Sequence, residues 1–313
     1  MRRYSLWLML GVLSGFLWGC NNYLYDVGAR GAITDSLSAG IIFPLACTAV
    51  NDMSAAIFLL FVNGLRGVLR SVHTLLNRSG AFLCLAALLG GPLGQLSYCL
   101  GILWAGPTYA LALSALYPVI GCVLARFFLH QQINVRMACG IALAVAGAII
   151  TGFTTLETAA PLILPGMICA FIAALCWGSE IVLAVHGMSN IEPDLAITLR
   201  ESISGTVLLL MTVAFFSGGG AIHALFAVPA ALGTLMIAGV IAGISYFLWY
   251  AVNRAIGCAR GMATNATYII WGVVLQWGMG GSEVSGQILL GCALVFVGVL
   301  LVSLYPQEGS MAS

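Results

Sequence analysis

Ten stretches of this 313-residue chain are each mostly apolar for about 20 residues, the length a helix needs to cross a bilayer core. They are 5–25, 38–61, 80–103, 107–128, 135–151, 165–185, 196–216, 228–250, 262–279 and 285–304. Inside hydrocarbon every backbone polar group must be satisfied within the segment, so runs like these predict spanning helices. An outer-membrane barrel would instead alternate apolar and polar residues in segments of about ten. Composition closes the remaining routes. The chain is 61% hydrophobic and 7% charged, with a mean hydropathy of +1.07, whereas a globular domain carries about 25% charged residues. Its 11 basic and 10 acidic side chains cannot cover a solvated surface. A soluble enzyme, a nucleic-acid binder and a disordered segment are excluded, and an all-α integral membrane protein is expected. The net charge of +1 argues against an acidic or basic partner. The ten cysteines are scattered singly with no CxxC pair, which reads as buried thiols rather than disulfides or a metal site.

Arg2 and Arg3 ahead of an apolar run resemble a signal peptide, but the run is too long and lacks a small-x-small cleavage site before Asn21. It reads as a retained first helix. The chain has no lysine, so arginine placement sets orientation. With the N-terminus inside, Arg2, Arg3, Arg66, Arg70, Arg78, Arg126, Arg136, Arg200, Arg254 and Arg260 lie on or near the cytoplasmic side, and Arg30 alone lies outside. Ten helices return the C-terminus to the cytoplasm. Between helices 2 and 3, Leu65, Val68, Leu69, Val72, Leu75 and Leu76 share one helical face while Arg66, Arg70, His73 and Asn77 fall elsewhere. Residues 64–78 therefore read as a basic amphipathic helix in the inner headgroup layer, or else as a solvated loop with chance periodicity.

The chain repeats itself. Trp18-Gly19 matches Trp177-Gly178 at an offset of 159. Pro44, Asn51 and Asp52 match Pro193, Arg200 and Glu201 at 149, and Ser97-Tyr98 matches Ser245-Tyr246 at 148. Tyr117, Gly121, Gly140 and Gly147 match Tyr268, Gly272, Gly291 and Gly298 at 151. The order is shared and the offsets change in loops. Two repeats are expected, 1–155 and 156–313. Each has five helices, so the second must enter the membrane with opposite orientation. Inverted repeats of this kind build transporters with a substrate site near the midplane.

These residues resemble the drug/metabolite transporter superfamily, the EamA-like branch with ten helices, over nearly the whole chain. WGSEIVL at 177–183, SALYPVIGCVLARFFL at 114–129, YAVNRAIGCARGMATNATYIIW at 250–271, GGPLGQ at 90–95 and Arg200 are similar to the choline permeases of bacterial phosphorylcholine loci. The resemblance implies choline import across the inner membrane. Many superfamily members carry a glutamate in the turn between helices 4 and 5. Gln132 stands there in this chain, while the equivalent Glu283 is kept in the second half.

Choline is a quaternary ammonium ion without an N–H, so recognition needs aromatic faces around its methyl groups, a carboxylate nearby and a partner for its hydroxyl. Most of the acids (Asp26, Asp35, Glu157, Glu192, Asp194, Glu283 and Glu308) belong to loops or helix ends. Asp52, Glu180 and Glu201 are committed to helices, where a charge costs about 2.5–3.5 kcal/mol on insertion scales. Glu180 is the leading carboxylate, three residues from Trp177 on the same helical face. The plainer account pairs it structurally with an arginine near the inner surface, and a third role is carrying a proton. In the first repeat Asn21 stands at its place and Trp18 at the place of Trp177. Tyr117, Tyr268 and Trp271 lie mid-helix, and Tyr98 and Tyr246 form a further pair, so all five are candidate cage residues. Trp7, Trp104, Trp249, Tyr250 and Tyr305 lie near helix ends and read as interfacial anchors. Asp52, Arg200 and Glu201 read as a gating or structural group. Arg200 and Glu201 are adjacent and point about 100° apart on a helix, and snorkelling is the plain account of Arg200. Asn265 and Gln95 are candidate hydroxyl partners. Gly90-Gly91-Pro92 and Gly218-Gly219-Gly220 are placed at loops or helix ends, and Gly140 and Gly147 at close helix contacts.

No HExxH, P-loop or Rossmann glycine pattern is present, and the serines and histidines form no triad. No catalytic residue, metal site or cofactor is expected. The reading is a secondary transporter, multi-pass in the bacterial inner membrane, importing choline or a related cation. The alternative is an exporter of amino acids or other small metabolites. The expected partners are a small-molecule substrate, the lipid bilayer and, if transport is coupled, protons. Oligomeric state stays open.

Overall fold

A computed structural model describes residues 2–32, 40–152, 162–214, 219–280 and 285–303. Among these residues there are helices and no strand. The first two passes are α1 (Arg2–Ala32) and α2 (Ile42–Leu65). The third joins α3 (Arg78–Leu88), a π turn (Leu89–Leu93) and α4 (Gly94–Ala105). The fourth is split into α5 (Pro107–Ser114) and α6 (Tyr117–Phe128), and the fifth is α7 (Val135–Gly152). Then come α8 (Ile163–Gly187), α9 (Pro193–Ala214), a short α10 (Gly219–Ala227) and α11 (Pro229–Ile256). The ninth pass is split into α12 (Cys258–Asn265) and α13 (Tyr268–Gly280), and the tenth is α14 (Gly286–Ser303). Large apolar side chains such as Phe61, Phe127 and Trp277 are exposed on the outside of the bundle, where lipid rather than water suits them.

Three departures from the sequence expectation matter. The fourth and ninth passes break at equivalent places. In the fourth, Pro118 follows the break, where it lacks an N–H and crowds the preceding turn. In the ninth, hydroxyls compete for helix carbonyls: Thr264 donates to the Arg260 carbonyl at 2.9 Å and Thr267 to the Thr264 carbonyl at 2.7 Å. Second, Gly90-Gly91-Pro92 lies within the third pass, in the π turn, rather than at a helix end. Third, the amphipathic segment is a 3₁₀ helix, Val68–Leu75, entered through Gly67 at φ 75. Its turns of three residues do not assemble the α-helical face: Val68, Leu69 and Leu75 pack on the core, whereas Leu65, Val72 and Leu76 are exposed.

The bundle is two inverted five-helix repeats, and equivalent residues make equivalent contacts. A Cβ at Gly19 would press on Tyr268, Trp271 and Gly272, and one at Gly178 would press on Tyr117, Ile120 and Gly121. Each of the second three is the repeat mate of one of the first three. Helix α7 runs antiparallel to α14, with Gly140 against the Gly298 carbonyl and Gly147 against the Gly291 carbonyl. Absent side chains at these four positions let the two backbones approach. Helix α1 packs along α11, α2 along α9 and α4 along α8, leaving a central space between the halves.

Candidate functional site

That space is a cavity of about 430 Å³. Helix α1 contributes Trp18, Asn21, Asn22 and Tyr25, at the i, i+3, i+4, i+7 spacing of one helical face. Helix α2 contributes Pro44, Thr48, Asn51 and Asp52, and α4 contributes Gln95 and Tyr98. Trp177 and Glu180 enter from α8, and Ser245, Tyr246 and Trp249 from α11. Both helix breaks open onto it, through Ser114 and Tyr117 in the fourth pass and Asn265 and Tyr268 in the ninth. Asn22 and Ile102, on the C-terminal halves of α1 and α4, stand exposed at its rim.

Aromatic rings make up much of the wall, and the pairs cross between repeats. Trp18 meets Tyr246 with ring centroids 4.8 Å apart, and Trp177 meets Tyr98 at 5.3 Å. Tyr246 continues into Trp249 at 5.9 Å. The π turn makes room for the second pair. The Trp177 indole donates to the Gly90 carbonyl at 3.0 Å, and the Glu180 carboxylate lies where a Cβ at Gly90 would be. Ser204 presses on Gly91 in the same way. A side chain at 90 or 91 would push α8 or α9 away from the cavity.

Behind this wall lies a cluster of charges. Glu180, Arg200, Glu201 and Asp52 are 1%, 1%, 0% and 4% exposed. Arg200 sits at their centre. Its Nε donates to Glu180 Oε1 at 2.9 Å and its Nη1 to Glu201 Oε1 at 2.8 Å. Nη1 is 3.8 Å from Asp52 Oδ2, which accepts from the Ser204 hydroxyl at 2.6 Å. The guanidinium lies 4.3 Å from the centre of the Tyr246 ring, and Nη2 donates to the Tyr246 hydroxyl at 3.3 Å. Tyr250 donates to Glu180 Oε1 at 2.9 Å. Buried charges cost several kcal/mol each unless paired in this manner. The pairing is unequal: three carboxylates share one guanidinium. Glu180 and Asp52 reach the cavity wall, while Arg200 and Glu201 do not.

Of the expected cage residues, Trp18, Asn21, Tyr98, Tyr117, Trp177, Glu180, Tyr246 and Tyr268 line the cavity, as do Gln95 and Asn265. Asn21 Nδ2 donates to the Ala238 carbonyl at 2.9 Å, and Asn265 Nδ2 to the Ser14 hydroxyl at 2.9 Å. Trp271 is a correction. It takes the packing place of Ile120, against Gly19 and edge-on to Phe16 at 5.2 Å, away from the cavity. Arg200 does not snorkel. It lies seven residues into α9, about 10 Å from the helix start at 1.5 Å per residue. Nor do Arg200 and Glu201 point to separate places, because the long arginine side chain wraps back to its neighbour's carboxylate. The plainer account of Glu180, pairing with an arginine, holds, but that arginine is buried rather than near the surface.

Trp249 and Tyr250 are not interfacial anchors. Helix α11 continues to Ile256, which carries both inside the bundle. Their spacing from Tyr246, i+3 and i+4, was the available signal. Tyr25 and Thr48, hydrogen bonded to each other at 3.0 Å, are further wall residues outside the sequence reading. Trp7 and Trp104 are half-buried and away from the wall. Tyr305, Asp35, Glu157, Glu283 and Glu308 lie outside the described residues.

Comparison with known proteins agrees with this architecture. A protein of known crystal structure superposes with a TM-score of 0.69 at 17% identity, covering 96% of this chain and 97% of that one, a likeness of fold. Protein LicB of Haemophilus influenzae is 26% identical over 313 residues, 96% of this chain and 98% of the relative. The EamA-like transporter family matches residues 5–153 and 164–304. A multi-pass bundle of inverted repeats, a central small-molecule cavity and a family match over nearly the whole chain agree: this chain belongs to the EamA-like transporter family, of the drug/metabolite transporter superfamily.

Proposed function

We propose that the chain imports choline, or a related quaternary ammonium compound, across the bacterial inner membrane by alternating access. The observation that carries this reading is the composition of the cavity wall. Aromatic faces surround a space of about 430 Å³, and two carboxylates, Asp52 and Glu180, reach it. The buried cluster holds three acids and one arginine, and two of those acids, Asp52 and Glu180, stand at the wall where an entering cation would meet them. Cation–π attraction to tryptophan and tyrosine suits a substrate that has no N–H to donate, at about 0.5–2 kcal/mol per ring. Polar groups at Asn265, Gln95 and Ser245 offer partners for a hydroxyl. The volume falls within the roughly 300–1,000 Å³ common for small-molecule sites.

Residues 1–155 and 156–313 are the two halves that rock about this cavity. With both termini cytoplasmic, the rim at Asn22 and Ile102 faces outward, the posture that receives substrate for uptake. The resemblance of 114–129, 177–183 and 250–271 to choline permeases points to the same substrate class.

Uptake into proteoliposomes tests the reading. Choline should enter saturably and be competed by other quaternary amines, and a pH gradient imposed across the vesicle separates proton coupling from facilitated diffusion. Movement of amino acids without movement of choline would favour the exporter instead.

A further inference from the structure

We infer that Arg200 is a resident stand-in for the substrate cation: it occupies Glu180 while the cavity is empty and passes to Glu201 when a cation arrives. The inference rests on the reading of the cavity as a cation site. Its basis is the unequal use of three carboxylates by one guanidinium. Arg200 divides its donors, Nε to Glu180 Oε1 at 2.9 Å and Nη1 to Glu201 Oε1 at 2.8 Å. Glu180 is on the cavity wall and Glu201 is behind it. Glu201 Oε2 is fully buried and has no hydrogen-bond partner. An unpartnered carboxyl oxygen in a dry interior forgoes the hydrogen bonds that water would supply. A second arrangement of Arg200 would satisfy it.

That second arrangement is at hand. Arginine's planar fork matches a carboxylate through two parallel hydrogen bonds. If Nε leaves Glu180, the guanidinium can engage both oxygens of Glu201, its sequence neighbour on α9. The Glu201 Oε2 orphan is satisfied, and the charge freed on Glu180 faces the incoming ammonium. Tyr250 can keep its bond to Glu180 throughout. Tyr246 touches Arg200 with both ring and hydroxyl while its ring also faces the cavity, so a moving guanidinium is felt at the wall.

Two things follow. The empty carrier never exposes a bare Glu180, which discourages small inorganic cations. Occupancy of the cavity is also linked to the ion pair between Glu180 of α8 and Arg200 of α9, which reaches from one helix to the other. Arg200 and Glu201 are thus positioning residues that act through Glu180 without touching the substrate.

Calorimetric choline binding to the purified full chain tests this with E201Q and E201D, folding being checked by thermal melting. E201Q leaves Arg200 no second carboxylate fork, so choline affinity should fall by about tenfold or more. E201D keeps the charge but withdraws the free oxygen by one methylene, and a fall of about three- to tenfold is expected. If only the charge at position 201 matters, E201D binds like the wild type, and that result overturns the inference while leaving the cation site intact. Wild-type affinity in both variants overturns it as well. A structure of the choline-bound protein gives a second reading: Arg200 Nε away from Glu180 and both Glu201 oxygens engaged supports the handover, and an unchanged Arg200–Glu180 bond refutes it. Absence of choline binding in the wild type would overturn the cation-site reading itself, and the inference with it.

Discussion

On the first-repeat side of the cavity Asn21 stands one turn after Trp18, and on the second-repeat side Glu180 stands one turn after Trp177. An asparagine is again matched by a charge one helix later, this time a positive one, where Asn51 of the first repeat corresponds to Arg200 of the second. The two charges gained by the second repeat are bonded to each other at 2.9 Å. Their uncharged counterparts are not coupled: Asn21 donates to a backbone carbonyl, and Asn51 Nδ2 is buried without a partner. The aromatic pairs, by contrast, are kept on both sides, Trp18 on Tyr246 and Trp177 on Tyr98. A duplicated scaffold can therefore keep its aromatic walls symmetric while its charges become uneven, with Asp52 alone on the first-repeat side. Glutamate and arginine are tolerable in the interior when they are paired in this way.

The largest effect should come from the charged side. E180Q removes the wall carboxylate and leaves Arg200 with one fewer acid, so choline affinity should fall by about 30-fold or more, given a cost of about 2–5 kcal/mol for truncating a buried charge pair. N21A, at the equivalent place, should change binding only severalfold. Equal losses at the two positions would break the comparison. Next comes G90A. Its Cβ falls on the Glu180 carboxylate, and overpacking of this kind costs about 1–3 kcal/mol, to be read as a lower melting temperature. G219A is the control: no atom lies within 4 Å of the added carbon, so stability should hold or rise by up to about 1 kcal/mol. W18A and W177A should each weaken binding about fivefold to tenfold through loss of a cation–π face. W177A should be the more severe, since the indole also bonds to Gly90. The smallest effect is expected from W271F, which keeps an aromatic ring against Phe16 and Gly19 outside the cavity. Affinity within about twofold of wild type would place it with ordinary substitutions below 0.5 kcal/mol.

Much of the bundle was legible because apolar run length is a direct physical requirement for crossing a bilayer. Among the described residues, each of the ten runs falls on a helical pass. The aromatic pairs of the cavity wall were legible because the repeat offsets of 148, 151 and 159 carried equivalent residues to equivalent places. The breaks at 115–116 and 266–267 were not, because hydropathy is blind to a carbonyl captured by Thr264 or a donor missing at Pro118. The π turn escaped for the same reason, its glycines reading as a helix end. Tyr250 was misread through helix length alone. Ending α11 at that residue made it an interfacial anchor, whereas six further residues place it at Glu180. Arg200 was misread through depth, since a residue near the end of an apolar run can lie two turns inside its helix. Opposite charges in consecutive spans, Glu180 and Arg200, were the signal that could have joined them.

The central claim is that the cavity binds a quaternary ammonium ion between its aromatic wall and Glu180. Titration of the purified protein with choline, alongside betaine and carnitine, measures it most directly. The account predicts saturable choline binding that is sharply weakened in both E180Q and W177A. No saturable binding, or binding that both variants retain unchanged, would contradict it.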